Sequence, residues 1–435
     1  MNMGYLLLYI YVGVCLAMMA SAIWRKEDRL QFPFLAGGTA LLMVCLPLAG
    51  LLSDPKGPTD AALERFTIMA ILCQLASWAG YHAPWKFRTF SDLKWDPRRL
   101  AISAVALSVF GFYFGYRLST IDPEIAANGN WTGIATIYIT LAQVSRYGFV
   151  LAAILYFRSR DWRFLLAMIP QLVIYGKMFL GGRRSPTGEF FIILMTLLLF
   201  YRKKTVPFGL FLTGMVFLAV FSYNIGEIRA NVDRPWEERI ESFMSSDPFN
   251  ALSEESMIEN NGYIEVANAV NFMDAKAQGG HYTYGLDFWN KLVFGFVPAQ
   301  WVGADFKRSL QFALYDDTAL VGFEKGNGTC ETGIAEAFMA FSYFGFALFF
   351  ILGVGLRWLW EQSIRGSVVC QVILMLNILP AIMSFGLQLW VIVNGLVNLL
   401  IFAGPFLWWS AVASPKVRPL RRAGDKGALT SATAT

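Results

Sequence analysis

Apolar residues in this chain fall into long unbroken runs. They do not follow the alternating pattern of half-buried strands, nor the one-sided periodicity of amphipathic helices. A run of about 18 or more apolar residues is long enough to cross a bilayer core of about 30 Å as a helix. About eleven such spans are predicted, at 3–23, 32–52, 62–81, 101–121, 133–157, 164–180, 188–201, 207–224, 334–356, 367–387 and 390–412, with 188–201 the shortest. The first has neither a basic segment before it nor a small-residue cleavage site after it, so it is read as a retained helix and not a signal peptide. The expected fold is an all-α, polytopic membrane protein.

The polar segments between the runs set the orientation. Lys and Arg crowd 24–31, 82–100, 158–163, 202–206, 357–366 and the tail, whereas the short segments of the other side hold only Lys56, Arg183 and Arg184. Basic loops stay in the cytoplasm, so the N-terminus is predicted outside and the C-terminus inside. Four parts follow: eight spans in 1–224, a large extracytoplasmic loop at 225–333, three spans in 334–412, and a cytoplasmic tail at 413–435. Within the loop, Pro235–Phe243 and Glu254–Ala275 have amphipathic helical patterning that Gly279 and Gly280 end. Leu286–Val297 is aromatic and apolar, as in a helix lying on a membrane surface, and stops at Pro298.

Composition supports the same class. The 435 residues are 56% hydrophobic, 16% aromatic and only 15% charged, against about 25% charged in a soluble domain. A soluble enzyme is excluded. The net charge of +5 lies mainly at span ends, which argues against a nucleic-acid partner. Cys15, Cys45, Cys73 and Cys370 lie inside apolar runs and only Cys330 lies outside one, so no disulfide framework is expected. No Cys or His spacing points to a metal, and no cofactor is expected.

Four cations stand out because a charge in mid-bilayer costs at least about 2.5–3.5 kcal/mol. In the predicted topology Arg65, Arg117 and Lys177 lie near the outer ends of their spans, and Arg146 lies near the middle of the fifth. Arg183 and Arg184 follow Lys177 in Gly181-Gly182-Arg183-Arg184-Ser185. The six are expected to line the outer half of the membrane, with Glu64 and Glu189 as acidic neighbours. Each of Arg65, Arg117 and Lys177 can instead snorkel to headgroups. A cationic cavity at that depth suits an anionic lipid, and arginine forks bind phosphate oxygens two at a time. A lipid diphosphate places its phosphates there and its chain in the bilayer.

The loop adds polar and aromatic candidates. Arg229, Arg234 and Arg239 alternate with Asp233, Glu237 and Glu238, which also fits a solvated helix face. Tyr282, Tyr284, Phe288, Trp289, Phe294, Phe296 and Trp301 suit sugar rings or a membrane interface. His281 is either structural or a general base for an acceptor hydroxyl. Glu331 and Glu336 are rival bases, and Glu336 lies just inside the ninth span, where burial would raise a carboxylate's pKa.

Three segments resemble the oligosaccharide repeat-unit polymerases, the Wzy-type O-antigen and exopolysaccharide polymerases. Gly181-Gly182-Arg183-Arg184-Ser185 is similar to the family's Gly-x-Arg element. Tyr284-Gly285-Leu286 through Phe296-Val297-Pro298 to Lys307-Arg308 is similar to its glycine, amphipathic stretch, Ile-Pro step and Lys-Pro. Thr332-Gly333-Ile334-Ala335-Glu336-Ala337-Phe338 through Phe344-Gly345 is similar to the opening of its helix after the large loop. Ala299 and Ser309 depart from the usual arginine and proline. The resemblance implies a C-type glycosyltransferase architecture in the bacterial inner membrane and metal-independent chemistry. The implied substrates are a growing glycan on polyprenyl diphosphate and a lipid-linked repeat unit, with a chain-length regulator as a further partner. It implies that Arg146, Arg183 and Arg184 stabilise the leaving diphosphate and that Arg65, Arg117 and Lys177 help bind it. Arg234, Arg239, Tyr284, Lys307 and Arg308 would contact substrate, with Glu336 or His281 as base. An O-antigen ligase, a lipid-linked glycan transporter or flippase, and a scaffold without chemistry remain open alternatives.

Overall fold

A computed structural model describes residues 3–24, 29–53, 58–85, 94–121, 134–180, 184–203, 264–324 and 331–412, with isolated positions 209 and 238. Its helices follow the apolar runs. They are α1 (Met3–Trp24), α2 (Phe32–Ser53), α3 (Asp60–His82), α4 (Pro97–Ser119), α5 (Ile134–Ser159), α6 (Arg163–Leu180) and α7 (Arg184–Arg202). Next come α8 (Ile264–Gly279), α9 (Leu286–Phe296), and the short α10 (Ala299–Val302) and α11 (Ala304–Ser309). The last four are α12 (Gly333–Phe341), α13 (Phe346–Ile364), α14 (Val368–Met383) and α15 (Trp390–Ser410). Among the described residues, six stretches, in α1, α2, α4, α5, α12–α13 and α15, are long and apolar enough to cross a membrane. The chain is a multi-pass, all-α membrane protein. Its only described sheet is a two-residue pairing of Lys94–Trp95 with Ala411–Val412.

Local chemistry sets the ends of these helices. Thr59 caps α3 by accepting from the Ala62 N–H at 3.3 Å. Asp96 caps α4 by accepting from the N–H of Arg98 at 2.8 Å, with Pro97 opening the helix. Such caps satisfy donors that the first turn leaves without partners. The span expected at 334–356 lies within one membrane-length apolar stretch, Gly333–Ile364, that is broken inside: α12 stops at Phe341, and Ser342, at φ +53°, turns the chain before α13. A helix, Arg184–Arg202, covers the expected 188–201 span and is not one of these six stretches. Of the loop helix expected at 254–275, residues 254–263 lie outside the described residues and the rest is α8, which runs to Gly279, where Gly280 at φ +71° ends it. The expected span 207–224, the helix at 235–243, Cys330 and the tail lie outside the described residues.

Helices in lipid gain little from a hydrophobic drive and associate by close packing of small residues. α3 and α13 cross that way: a Cβ on Gly80 would lie 2.1 Å from the Phe350 carbonyl oxygen, and one on Gly353 would lie 2.2 Å from that of Ser77. Gly111 of α4 and Gly148 of α5 form a second such crossing, against Ser145 and Ser108. Two packed groups result. One holds α1–α3, α8, α12 and α13; the other holds α4–α6. Helices α7, α14 and α15 contribute to both.

The two ends of the bundle differ. At one, Arg158 donates to the Tyr201 hydroxyl at 3.0 Å and the Gly366 carbonyl at 2.9 Å, and Tyr201 donates to Gln371 at 2.6 Å. At the other, helices α8 and α9 gather over α12 and the start of α15, and the chemistry-bearing side chains concentrate there.

Candidate functional site

Helix α8 carries Asp274, Lys276 and Gln278 within its last two turns. Lys276 Nζ donates to Asp317 Oδ2 and to the Tyr315 carbonyl, both at 2.7 Å. The absence of a side chain at Gly279 lets Asp317 approach, since a Cβ there would lie 2.5 Å from its carboxyl carbon. His281 follows the helix end. Its Nδ1 lies 2.9 Å from Asp317 Oδ1, and its ring stacks on Tyr315 with centroids 4.5 Å apart. The side chain is 51% exposed while that of Asp317 is 6% exposed. Burial pushes the Asp317 carboxyl up, but hydrogen bonds from Lys276 and His281 outweigh it and hold it below the usual carboxylate value. An ionised Asp317 fixes the proton on Nδ1 and leaves Nε2 as a free acceptor. That is how a carboxylate prepares an imidazole to take a proton.

Glu336 is placed quite differently. It is fully buried. Its Oε1 accepts from Lys291 Nζ at 2.5 Å and its Oε2 from the Trp390 N–H at 3.0 Å. Lys291 also reaches Glu331 at 3.2 Å. Burial works against the Lys291 charge, yet Glu336 and Glu331 carry its pKa above the usual lysine value. Backbone bonds from Thr283 and Tyr284 to Met339 and Ala340, each 2.9 Å, tie the start of α9 to the end of α12. The Thr283 hydroxyl donates to Asp287 at 2.7 Å. Glu336 thus joins α9, α12 and α15, with both oxygens engaged.

The six expected intramembrane cations do not all meet. Arg65, on α3, forms an ion pair with Asp274 of α8, whose second oxygen accepts from Gln278 at 2.9 Å. Arg117 and Lys177 are exposed near the ends of α4 and α6, helices in contact where Gly115 meets Ile174. Arg117 lies 6.0 Å from the centre of the Tyr138 ring. Arg146 lies in the first turn after a break in α5 at Gln143 and Val144. Gln143 accepts from it at 3.2 Å, and Glu189 of α7 stands 3.9 Å away. Arg184 opens α7, and its side chain, like Arg183, Arg234 and Arg239, lies outside what is described.

The remaining candidates are at the surface. Tyr284 is exposed at φ +49°. Lys307 donates to the Phe294 carbonyl at 2.8 Å and Arg308 pairs with Asp305 at 2.7 Å. Sequence reasoning missed Asp317, Tyr315, Lys276, Lys291 and Asp274. Each pairs with a residue at least 34 positions away, at a separation that matches no helical or strand period. Among the described residues, no group of three or more His, Cys, Asp or Glu side chains is arranged to hold a metal ion. Comparison with family models, with curated proteins and with solved structures finds no match.

Proposed function

We propose that this protein is a metal-independent glycosyltransferase of the bacterial inner membrane that polymerises polyprenyl-diphosphate-linked oligosaccharide repeat units at the outer face. In this reading the chain has about eleven spans in a C-type glycosyltransferase arrangement. The N-terminus and the α8–α9 end face outward, and the basic end carrying Arg158 and Arg357 faces the cytoplasm. The observation that carries the reading is the His281–Asp317 pair: an imidazole oriented by a buried carboxylate, open at Nε2 and set among residues of the large loop.

The chemistry follows from that geometry. The acceptor hydroxyl gives its proton to His281 Nε2 as its oxygen bonds to the donor's anomeric carbon. The bond from that carbon to the diphosphate oxygen breaks, and the electron pair leaves with the lipid diphosphate. Arg117 and Lys177, near the outer ends of α4 and α6, meet the developing charge, and Arg183 and Arg184, next in the chain before and at the start of α7, are assigned the same role from the sequence. His281 takes the base role because it keeps an open nitrogen; Glu336 has both oxygens committed.

The test is glycan length on a gel, in a deletion strain complemented with wild type, His281→Ala or Asp317→Asn at matched membrane levels. Wild type restores a ladder. His281→Ala lowers chain extension by about 10²–10⁴-fold, the usual contribution of a positioned acid–base group, and leaves single repeat units on the lipid acceptor. Loss of all transferred glycan, including single units, would indicate a ligase. An unchanged ladder in both variants would remove the pair from the mechanism.

A further inference from the structure

A second polar region lies inside the bundle, among α5, α6 and α7, and neither the base nor the diphosphate step uses all of it. Its centre is the Arg146–Glu189 pair. At 3.9 Å the pair is too long for a direct hydrogen bond, and Arg146 Nε and Glu189 Oε1 are both buried without a partner. The Tyr175 hydroxyl lies beside Glu189 and the Tyr147 hydroxyl beside Arg146. Neither makes a hydrogen bond of full geometry, and Thr187 Oγ1, two residues before Glu189 on α7, is likewise buried without one. Five polar atoms at this end of α5, α6 and α7 are thus left unsatisfied, four of them around the ion pair and Thr187 Oγ1 two residues along α7. Native interiors satisfy more than nine-tenths of their buried polar groups, and each orphan costs about 1–3 kcal/mol. Orphans gathered around an ion pair are the mark of a place where something else binds.

Donor and acceptor chemistry says what fits. Arg146 Nε only donates, Glu189 Oε1 only accepts, and the three hydroxyls do either. The described charges cancel. An anion would face Glu189 and an ammonium would face Arg146, each at close range in a low-dielectric interior. An uncharged group that both donates and accepts meets all four around the ion pair. Phe149, Tyr175 and Phe190 stand around it with ring centroids 5.7–6.2 Å apart. Thr187 and Glu189 lie in the first two turns of α7, so the region is next to the helix ends that carry Lys177 and Arg184.

We propose that Arg146, Glu189, Tyr147, Tyr175 and Thr187 form a recognition site for the hydroxyl groups of an uncharged sugar. Its role as a glycan subsite rests on the polymerase reading. Arg146 then serves sugar recognition and not the diphosphate, which falls to the cations at the helix ends.

The test is cysteine labelling in native membranes, in a background with all five cysteines replaced that still restores the glycan ladder. Thr187→Cys and, as a second reporter, Tyr175→Cys are exposed to a membrane-impermeant methanethiosulfonate added from the outer side. Labelling is expected at both, slowed at least several-fold by N-acetylglucosamine but not by glucosamine or glucuronate at equal concentration. Adding Glu189→Gln should remove that preference. No labelling at either position, no protection, or equal protection by all three sugars overturns the proposal. A ladder that depends on His281 without sugar protection leaves the polymerase reading standing and this site refuted. Sugar protection with a ladder indifferent to His281 does the reverse.

Discussion

Glu336 and Glu189 are both acidic residues held against a cation inside the bundle, yet their surroundings are opposite. Glu336 engages both oxygens, one with Lys291 and one with the backbone of α15. Glu189 stands 3.9 Å from Arg146 with an oxygen left over. A fully partnered charge stabilises one arrangement of helices and resists change. A half-partnered charge costs the fold energy, which is recovered only when a ligand completes it. The first region is read as architecture and the second as a binding site.

Breaking the architecture should have the largest effect. Glu336→Ala leaves the Trp390 N–H without its acceptor and Lys291 with Glu331 alone. The expected loss is about 3–5 kcal/mol, as for removal of one partner of a buried ion pair, read as a lower melting temperature in detergent. A loss under about 1 kcal/mol would erase the distinction between the two regions. A sharper contrast uses the same chemical change at two threonines. Thr332 caps α12 by accepting from the Ala335 N–H at 3.2 Å, so Thr332→Val should cost about 0.5–2 kcal/mol. The Thr187 hydroxyl is buried with no partner, so Thr187→Val should leave the ligand-free protein unchanged or up to about 1 kcal/mol more stable. Equal losses would mean that Thr187 is satisfied after all. The smallest effect concerns pH. Because the Asp317 carboxyl is held below its usual value of 3.8, its contribution to stability is complete above that value. It is lost as pH falls through the lowered one. Asp317→Asn should flatten that acid limb of the melting profile and leave the neutral region parallel to wild type.

The helices were legible in the sequence because each apolar run carries its own secondary structure in its length. The break between α12 and α13 was not: Ser342-Tyr343-Phe344-Gly345 is apolar enough to pass for continuous helix, and only the fold turns it at Ser342. The site was legible residue by residue but not in its pairings. His281, Glu336 and Arg146 stood out as ionisable groups in unusual places. The partners of the first two, Asp317 and Lys291, lie 36 and 45 positions away, and nothing local encodes such a meeting; Glu189, 43 positions from Arg146, was expected as an acidic neighbour from its depth alone. Arg65 is the extreme case, with its counter-ion Asp274 209 residues downstream.

The crossing of α3 and α13 has a consequence for how the protein is made. About 270 residues separate Gly80 from Gly353, so at roughly 5–20 residues per second α3 waits on the order of 15–55 s for its mate. During that interval the buried Ser77 of α3 lacks the helix that will cover it. Gln74 can lean on Met18 of α1, 3.1 Å from its side-chain nitrogen, which the ribosome has already delivered. The early helices therefore have to form a provisional bundle of their own, and a late-arriving glycine face closes it.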